Sequence, residues 1–239
     1  MKLIVIIPAY NEEYSVGAVI NQIPKNIPGI DSVEIVVIDD GSSDETTKAV
    51  EQTNQATVIT LPYNLGIGGA VQTGFIYAQR NKYNIIVRID GDGQHKPQDI
   101  LQLLQPIIAE EADMVIGSRF LEGQGSYPMS SRWLGQRLIA LLTSVIIRQR
   151  ITDSTSGFRC YNKQSIALLN EYYPIDYPEP EEIIFLRKNA FRIKEIRVSM
   201  REREGGSSSL TTIKSFYYLI KIILALFISM LRSPVIKPR

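Results

Sequence analysis

The chain has 239 residues, 44% hydrophobic and 21% charged, enough to bury a sizeable core as one large domain or one and a half small ones. Its 26 Lys and Arg against 25 Asp and Glu leave a formal charge of +1, which excludes the global basic field of a nucleic-acid-binding protein. The single cysteine, Cys160, excludes an internal disulfide framework and points to a reducing, cytoplasmic setting.

The N-terminus, MKLIVIIPAYNEE, is apolar to Pro8 and turns charged within four residues. It is too short for a signal-peptide core and predicts a first strand. Four further apolar runs follow: EIVVIDD (34–40), ATVITLP (56–62), NIIVRID (84–90) and DMVIGSR (113–119). Each is continuous rather than alternating, as expected of strands covered on both faces. Helices are predicted between them. Residues 12–25 carry Val16, Val19, Ile20 and Ile23 at helical spacing, and the Ser-Ser-Asp-Glu cluster at 42–45 supplies capping groups for the next helix. Helices at 66–82 and 97–111 complete the set, with Pro97 suited to a first turn. Alternation of strand and helix predicts an α/β fold with a Rossmann-like, mostly parallel sheet flanked by helices, whose ligands lie beyond the carboxyl ends of the strands.

From about residue 120 the pattern changes. EGQGSYPMSS has the composition of a loop, 133–147 is an apolar helix ending in RQR, TDSTSGFRCYNK is polar and turn-rich, and REREGGSSSL (201–210) reads as a hinge. The last segment, SFYYLIKIILALFISMLR, is apolar from Tyr217 to Leu231 but interrupted by Lys221. About 15 residues give roughly 22 Å of helix, short of a bilayer core of about 30 Å. An amphipathic helix lying in the membrane interface, with Arg232, Lys237 and Arg239 at the headgroups, fits better. Docking on the core or on a second protein is the alternative.

Asp90-Gly-Asp92-Gly-Gln94 ends the fourth apolar run. Two carboxylates at i and i+2, with Gln94 beside them, offer hard oxygen donors to Mg²⁺ or Mn²⁺. A solvated acidic turn is the bland alternative. An EF-hand loop is excluded because His95 and Leu101 stand at its sixth and twelfth positions, and one His with one Cys makes a zinc site a poor fit. Asn64-Leu-Gly66-Ile-Gly68-Gly69-Ala70 resembles a dinucleotide phosphate loop, but Val71 occupies the third glycine site and the loop belongs to the third strand rather than the first.

Several strand ends carry polar motifs in order: PAYNE (8–12), IDDGSSD (38–44), DGDGQ (90–94), GSR (117–119) and then STSGFR (154–159). Over about residues 1–210 this ordered set resembles the family 2 inverting glycosyltransferases of the glycosyltransferase-A fold, most closely the dolichyl- and polyprenyl-phosphate sugar synthases. The resemblance implies that Pro8, Ala9, Tyr10, Glu12, Asp39, Asp40 and Gly69 bind a nucleotide sugar together with Asp90, Gly91, Arg119 and Arg203. It implies that Asp90, Asp92 and Gln94 bind the metal, and that Asp92, Arg119 and Arg132 serve catalysis. Residues 1–120 would form a nucleotide-binding half, 121–210 an acceptor half, and 211–239 the amphipathic helix.

The acceptor decides whether a base is needed. A sugar hydroxyl must lose a proton, and Asp153, Glu179, Glu181 or Glu182 would serve; a lipid phosphate is already anionic. Arg132 is flanked by Pro128 and Gln136 where the lipid-phosphate enzymes carry serines, and Ser207–Ser209 stand where they carry a lysine. The expectation is a metal-dependent transferase moving a sugar from a UDP- or GDP-sugar to a polyprenyl phosphate, peripheral on the cytoplasmic face of the membrane. Transfer to a glycan hydroxyl, a dinucleotide oxidoreductase and a noncatalytic scaffold are the competing readings. The C-terminal helix also leaves room for a homo-oligomer or a membrane-protein partner.

Overall fold

The computed structural model describes residues 1–121, 131–175, 177–201 and 212–235, with the side chains at 131, 132 and 212–219 outside that description. Seven strands form one sheet: β1 (Lys2–Ala9), β2 (Ser32–Asp39), β3 (Thr57–Thr60), β4 (Ile85–Arg88), β5 (Met114–Ser118), β6 (Arg159–Asn162) and β7 (Ile193–Arg197). Their order is β3-β2-β1-β4-β6-β5-β7. β6 runs antiparallel to both β4 and β5, and every other pairing is parallel.

The continuous apolar runs split between two cores because successive side chains leave opposite faces of a strand. Leu3, Val5, Ile7, Val37 and Val87 enter one core with α1 (Val16–Gln22) and α4 (Ile100–Ile108). Ile4, Ile6, Ile38 and Ile86 enter the other with α3 (Gly66–Arg80), α5 (Ser131–Ile147), α6 (Lys163–Tyr172) and α7 (Pro178–Lys188). α2 (Thr46–Gln52) packs beside α1 through Val50.

The predicted first helix is shorter than 12–25, because residues 10–15 are held as a loop: Thr46 Oγ1 accepts the Glu12 N–H at 2.8 Å and Asn11 adopts a left-handed φ of 56°. Pro97 opens a 3₁₀ turn leading into α4, in its expected place. The second half holds more regular structure than its composition announces. The composition of TDSTSGFRCYNK predicts turns, yet Arg159–Asn162 forms β6 inside the sheet, and α6, α7 and β7 follow. Strands from both halves share this sheet, so the boundary at residue 120 does not separate two packed bodies.

The C-terminal helix α8 (Thr212–Leu231) has 20 residues rather than about 15, or roughly 30 Å. Among the described residues no helix is long and apolar enough to cross a membrane. α8 packs on α5 and α7, burying Ile222 and Leu226. Lys188 Nζ donates to the carbonyls of Ser229 (3.0 Å), Met230 (2.5 Å) and Arg232 (2.5 Å), which satisfies the carbonyls that the helix end leaves open. The docked alternative therefore accounts for the inner face, while Ile220, Leu224, Phe227 and Leu231 stay exposed on the outer one.

Candidate active site

The chain steps outward from β1 to β2 and β3, then returns to β4 on the other side of β1. A crevice opens beyond the strand ends at such a reversal. PAYNE ends β1, IDDGS ends β2 and DGDGQ follows β4, so sheet order alone brings the three motifs together.

Pro8 and Ala9 are buried at the end of β1, and Gly91 lies 3.4 Å from the Pro8 carbonyl as judged from where its Cβ would stand. Tyr10, just after β1, is 47% exposed. Glu12 accepts the Ser15 hydroxyl at 2.8 Å. Asp39 is buried and accepts from the Ser42 N–H (2.9 Å) and the Thr47 hydroxyl (2.5 Å), which fixes its carboxylate beside the turn after β2.

Two of the expected donor-binding residues, Asp40 and Gly69, make contacts that serve the fold. Asp40 is buried, and its two oxygens accept the N–H groups of Leu65 (2.7 Å) and Gly66 (2.8 Å), so it caps α3. Burial raises its pKa, a tendency opposed by those two N–H groups. Gly69 is buried against Leu65, whose Cβ would lie 2.6 Å from an added Cβ. The same geometry disposes of the dinucleotide reading: the Asp40 carboxylate already occupies the helix N-terminus where a pyrophosphate would bind.

Asp90 and Asp92 stand beyond β4. Asp90 is 33% exposed; its Oδ1 lies 3.7 Å from Arg88 Nη2 and its Oδ2 lies 3.6 Å from His95 Nε2. Burial alone would raise the Asp90 pKa, but His95, Arg88 and Arg119 outweigh it and hold the carboxyl well below the usual carboxylate range. Gly157, in STSGFR, lies against this carboxylate: a Cβ there would sit 2.5 Å from Asp90 Oδ2. Asp92 Oδ1 accepts the Gln94 N–H at 3.1 Å, closing the turn. The Gln94 carbonyl accepts the Arg201 N–H at 2.8 Å, and His95 forms an isolated antiparallel β-bridge with Met200. The pair fits a divalent cation: two hard carboxylates and a side-chain amide at the mouth of the crevice, in a space that Gly157 keeps clear. Among the described residues no group of three or more His, Cys, Asp or Glu is placed to hold a metal ion.

Arg119 follows β5 and is gripped by Asp153: Nε and Nη2 donate to its two oxygens at 2.6 and 2.7 Å, and Nη2 also reaches Thr155 Oγ1 at 2.9 Å. Asp153 is thus the orienting partner of Arg119 and not a free base. The other three base candidates are engaged too. Glu179 accepts from Arg88 Nη2 at 2.7 Å, Glu181 accepts the Ser229 hydroxyl at 3.0 Å, and fully buried Glu182 accepts from Arg159 and from the Tyr161 hydroxyl at 2.6 Å. Arg132 lies in the first turn of α5 with its side chain undescribed, and Arg203 lies outside the described residues. Sequence reasoning missed Arg88 and Gly157. The glycine was legible in principle within the STSGFR motif; Arg88, inside an apolar strand and bonded to a residue 91 positions away, carried no local signal.

Residues 4–169 match the family model described as Glycosyl transferase family 2. The chain is 30% identical to the UDP-N-acetylglucosamine-dolichyl-phosphate N-acetylglucosaminyltransferase of Methanococcus voltae, over 91% of this chain and 94% of that one. It is 29% identical to the undecaprenyl-phosphate mannosyltransferase of Micrococcus luteus, over 88% of each. Among solved structures, glucosyl-3-phosphoglycerate synthase from Mycobacterium tuberculosis, in complex with Mn²⁺, UDP and glucosyl-3-phosphoglycerate, superposes with a TM-score of 0.71 at 20% identity, covering 98% of this chain and 81% of that one. That likeness is one of fold, and it agrees with the sheet described above. By the extent of the family match and the identity to full-length relatives, the chain belongs to glycosyl transferase family 2.

Proposed function

We propose that this protein transfers a sugar from a nucleoside-diphosphate sugar to a polyprenyl phosphate, in one inverting displacement that depends on a divalent metal. The observation that carries the reading is the state of the carboxylates. All four that would suit a general base are bound to cations or hydroxyls, and Asp90 and Asp92 follow β4 at the strand ends. A phosphate acceptor needs no base at neutral pH; a hydroxyl acceptor does. The names of the relatives from Methanococcus voltae and Micrococcus luteus support the same acceptor class.

The lipid-phosphate oxygen forms its bond to the anomeric carbon as the bond to the diphosphate breaks, and the departing diphosphate keeps the electron pair. Mg²⁺ or Mn²⁺, when bound, supplies charge neutralisation at that diphosphate. Asp90, Asp92 and Gln94 would hold it. Asp39, kept rigid by Ser42 and Thr47, is positioned to accept a hydrogen bond from the nucleoside, with Pro8, Ala9, Tyr10 and Glu12 as the adjoining wall. Arg119, aligned by Asp153, faces the developing negative charge, and a guanidinium in a fixed orientation stabilises phosphate oxygens without reorganising. Arg132 and Arg203 are assigned to phosphate binding by resemblance to the family pattern.

The lipid acceptor calls for a membrane-facing surface. The outer faces of α8 (Ile220, Leu224, Phe227, Leu231) and α5 (Leu134, Leu138, Leu141, Val145) are apolar and exposed, with Arg137, Arg148 and Arg150 beside them. Apolar stripes flanked by arginines suit the acyl-headgroup boundary of the cytoplasmic leaflet. Calorimetric titration of UDP, GDP and dTDP, with Mn²⁺ and then with EDTA, tests the donor side. Metal-dependent binding of UDP is expected, by analogy with the UDP-utilising relative. Failure of all three to bind the folded protein would overturn the reading.

A further inference from the structure

Arg88 is the last residue of β4 and its side chain is 2% exposed. One nitrogen, Nη2, faces two carboxylates: Glu179 Oε1 at 2.7 Å and Asp90 Oδ1 at 3.7 Å. Only the first distance is a hydrogen bond. Nε and Nη1 are buried without a hydrogen-bond partner among the described residues, so the guanidinium is not locked in place by other acceptors. An arginine buried in this state is costly and is stable only while a carboxylate holds it. If Glu179 released it, the nearest anion is the metal aspartate.

Glu179 is fixed at its own end. It lies in the first turn of α7, and Ile175, a few residues before that helix, lies so close to α3 that a Cβ at Gly68 would stand 2.0 Å from its carbonyl oxygen. One turn further along α7, Glu182 holds the neighbouring buried Arg159. Glu179 is therefore an anion behind a cation that stands against Asp90.

We propose that Glu179 is a positioning residue for the metal site: by holding Arg88 it keeps the guanidinium from moving in from 3.7 Å to hydrogen-bond Asp90, so that this carboxylate can bind a divalent cation. The inference rests on the reading of Asp90 as a metal ligand, and it gives the glutamate a role other than that of a base. Glu179 acts through Arg88 and touches neither substrate nor metal.

The test is Glu179→Gln, which keeps the shape and an acceptor oxygen but removes the charge. Mn²⁺ is titrated into the protein with UDP present and free Mn²⁺ is read by electron paramagnetic resonance. Arg88 should then pair with Asp90, weakening Mn²⁺ binding about tenfold, the usual scale for residues that orient a metal ligand. The Mn²⁺ concentration for half-maximal transfer should rise in parallel, while the rate at saturating Mn²⁺ returns near wild type; a merely structural loss would lower the rate at every Mn²⁺ concentration. The double variant Arg88→Met, Glu179→Gln removes the competing cation as well and should bind Mn²⁺ at least as tightly as wild type. Being charge-balanced, it also decides the matter if the single variant does not fold. Unchanged Mn²⁺ affinity in Glu179→Gln, or a double variant weaker than wild type, would overturn the inference while leaving the metal site standing. Absence of Mn²⁺ binding in the wild-type protein would overturn the assignment of Asp90, and this inference with it.

Discussion

At the scale of single residues, the site depends on space as much as on charge. A Cβ at Gly157 would stand 2.5 and 2.6 Å from the two Asp90 oxygens, and the carboxylate is the partner able to move. Gly157→Ala should therefore swing Asp90 away and weaken Mn²⁺ binding about tenfold, read by the same resonance titration; unchanged affinity would show that Asp90 is not a ligand in its present rotamer. A second residue speaks through pH. Asp113 accepts from Arg192 Nε (3.1 Å) and Nη2 (2.9 Å), from the Arg192 N–H (2.7 Å) and from Asn162 Nδ2 (2.8 Å). Burial would raise its pKa, but these bonds and the Arg192 charge hold it below the ordinary carboxylate value. A folded-state pKa below the unfolded value of about 3.9 means that its stabilisation is complete above that pH and is lost as pH falls through the folded value. Asp113→Asn should cost about 2 kcal/mol at neutral pH, and the deficit should shrink below about pH 4 in denaturant titrations. A deficit that stays constant to low pH would contradict the assignment.

At the scale of elements, α3 is set by contacts from two distant segments. Asp40 caps its N-terminus and the Ile175 carbonyl rests on Gly68. Because the obstructing atom at Gly68 is backbone, Gly68→Ala should destabilise by about 1–3 kcal/mol through overpacking, measurable as a lowered denaturation midpoint. A neutral result would mean that the segment before α7 yields easily. These contacts explain what could be read in advance. Strands such as LIVIIPA and NIIVRID were legible because a strand covered on both faces must be apolar throughout. β6 was not, because it begins at the buried Arg159, and its place between β4 and β5 is decided by pairing across more than 40 residues of chain. DGDGQ announced its chemistry in the sequence. The burdens on Asp153, Glu179 and Glu182 did not, since each is settled by an arginine supplied from another element.

At the scale of the whole molecule, α8 packs on α5 and α7 and both α5 and α8 carry exposed apolar residues on their outer faces. Because Ile222 and Leu226 hold α8 from within, replacing outward Leu224 and Phe227 together by Glu should leave the melting temperature near wild type. Sedimentation with anionic lipid vesicles should nevertheless fall severalfold, since both apolar area and charge oppose binding in the variant. Equal sedimentation would remove the membrane role from this face.

The most direct measurement is transfer itself: radiolabelled UDP-sugar and undecaprenyl phosphate in detergent, with Mn²⁺ or with EDTA, for wild type and Asp92→Ala. A labelled polyprenyl-phosphate sugar of inverted anomeric configuration should form with wild type in Mn²⁺ only. Its rate should fall about a hundredfold or more in Asp92→Ala, the scale of losing a group that neutralises the departing charge. Undiminished product in EDTA, or label passing to a soluble glycan and not to the lipid phosphate, would contradict the account.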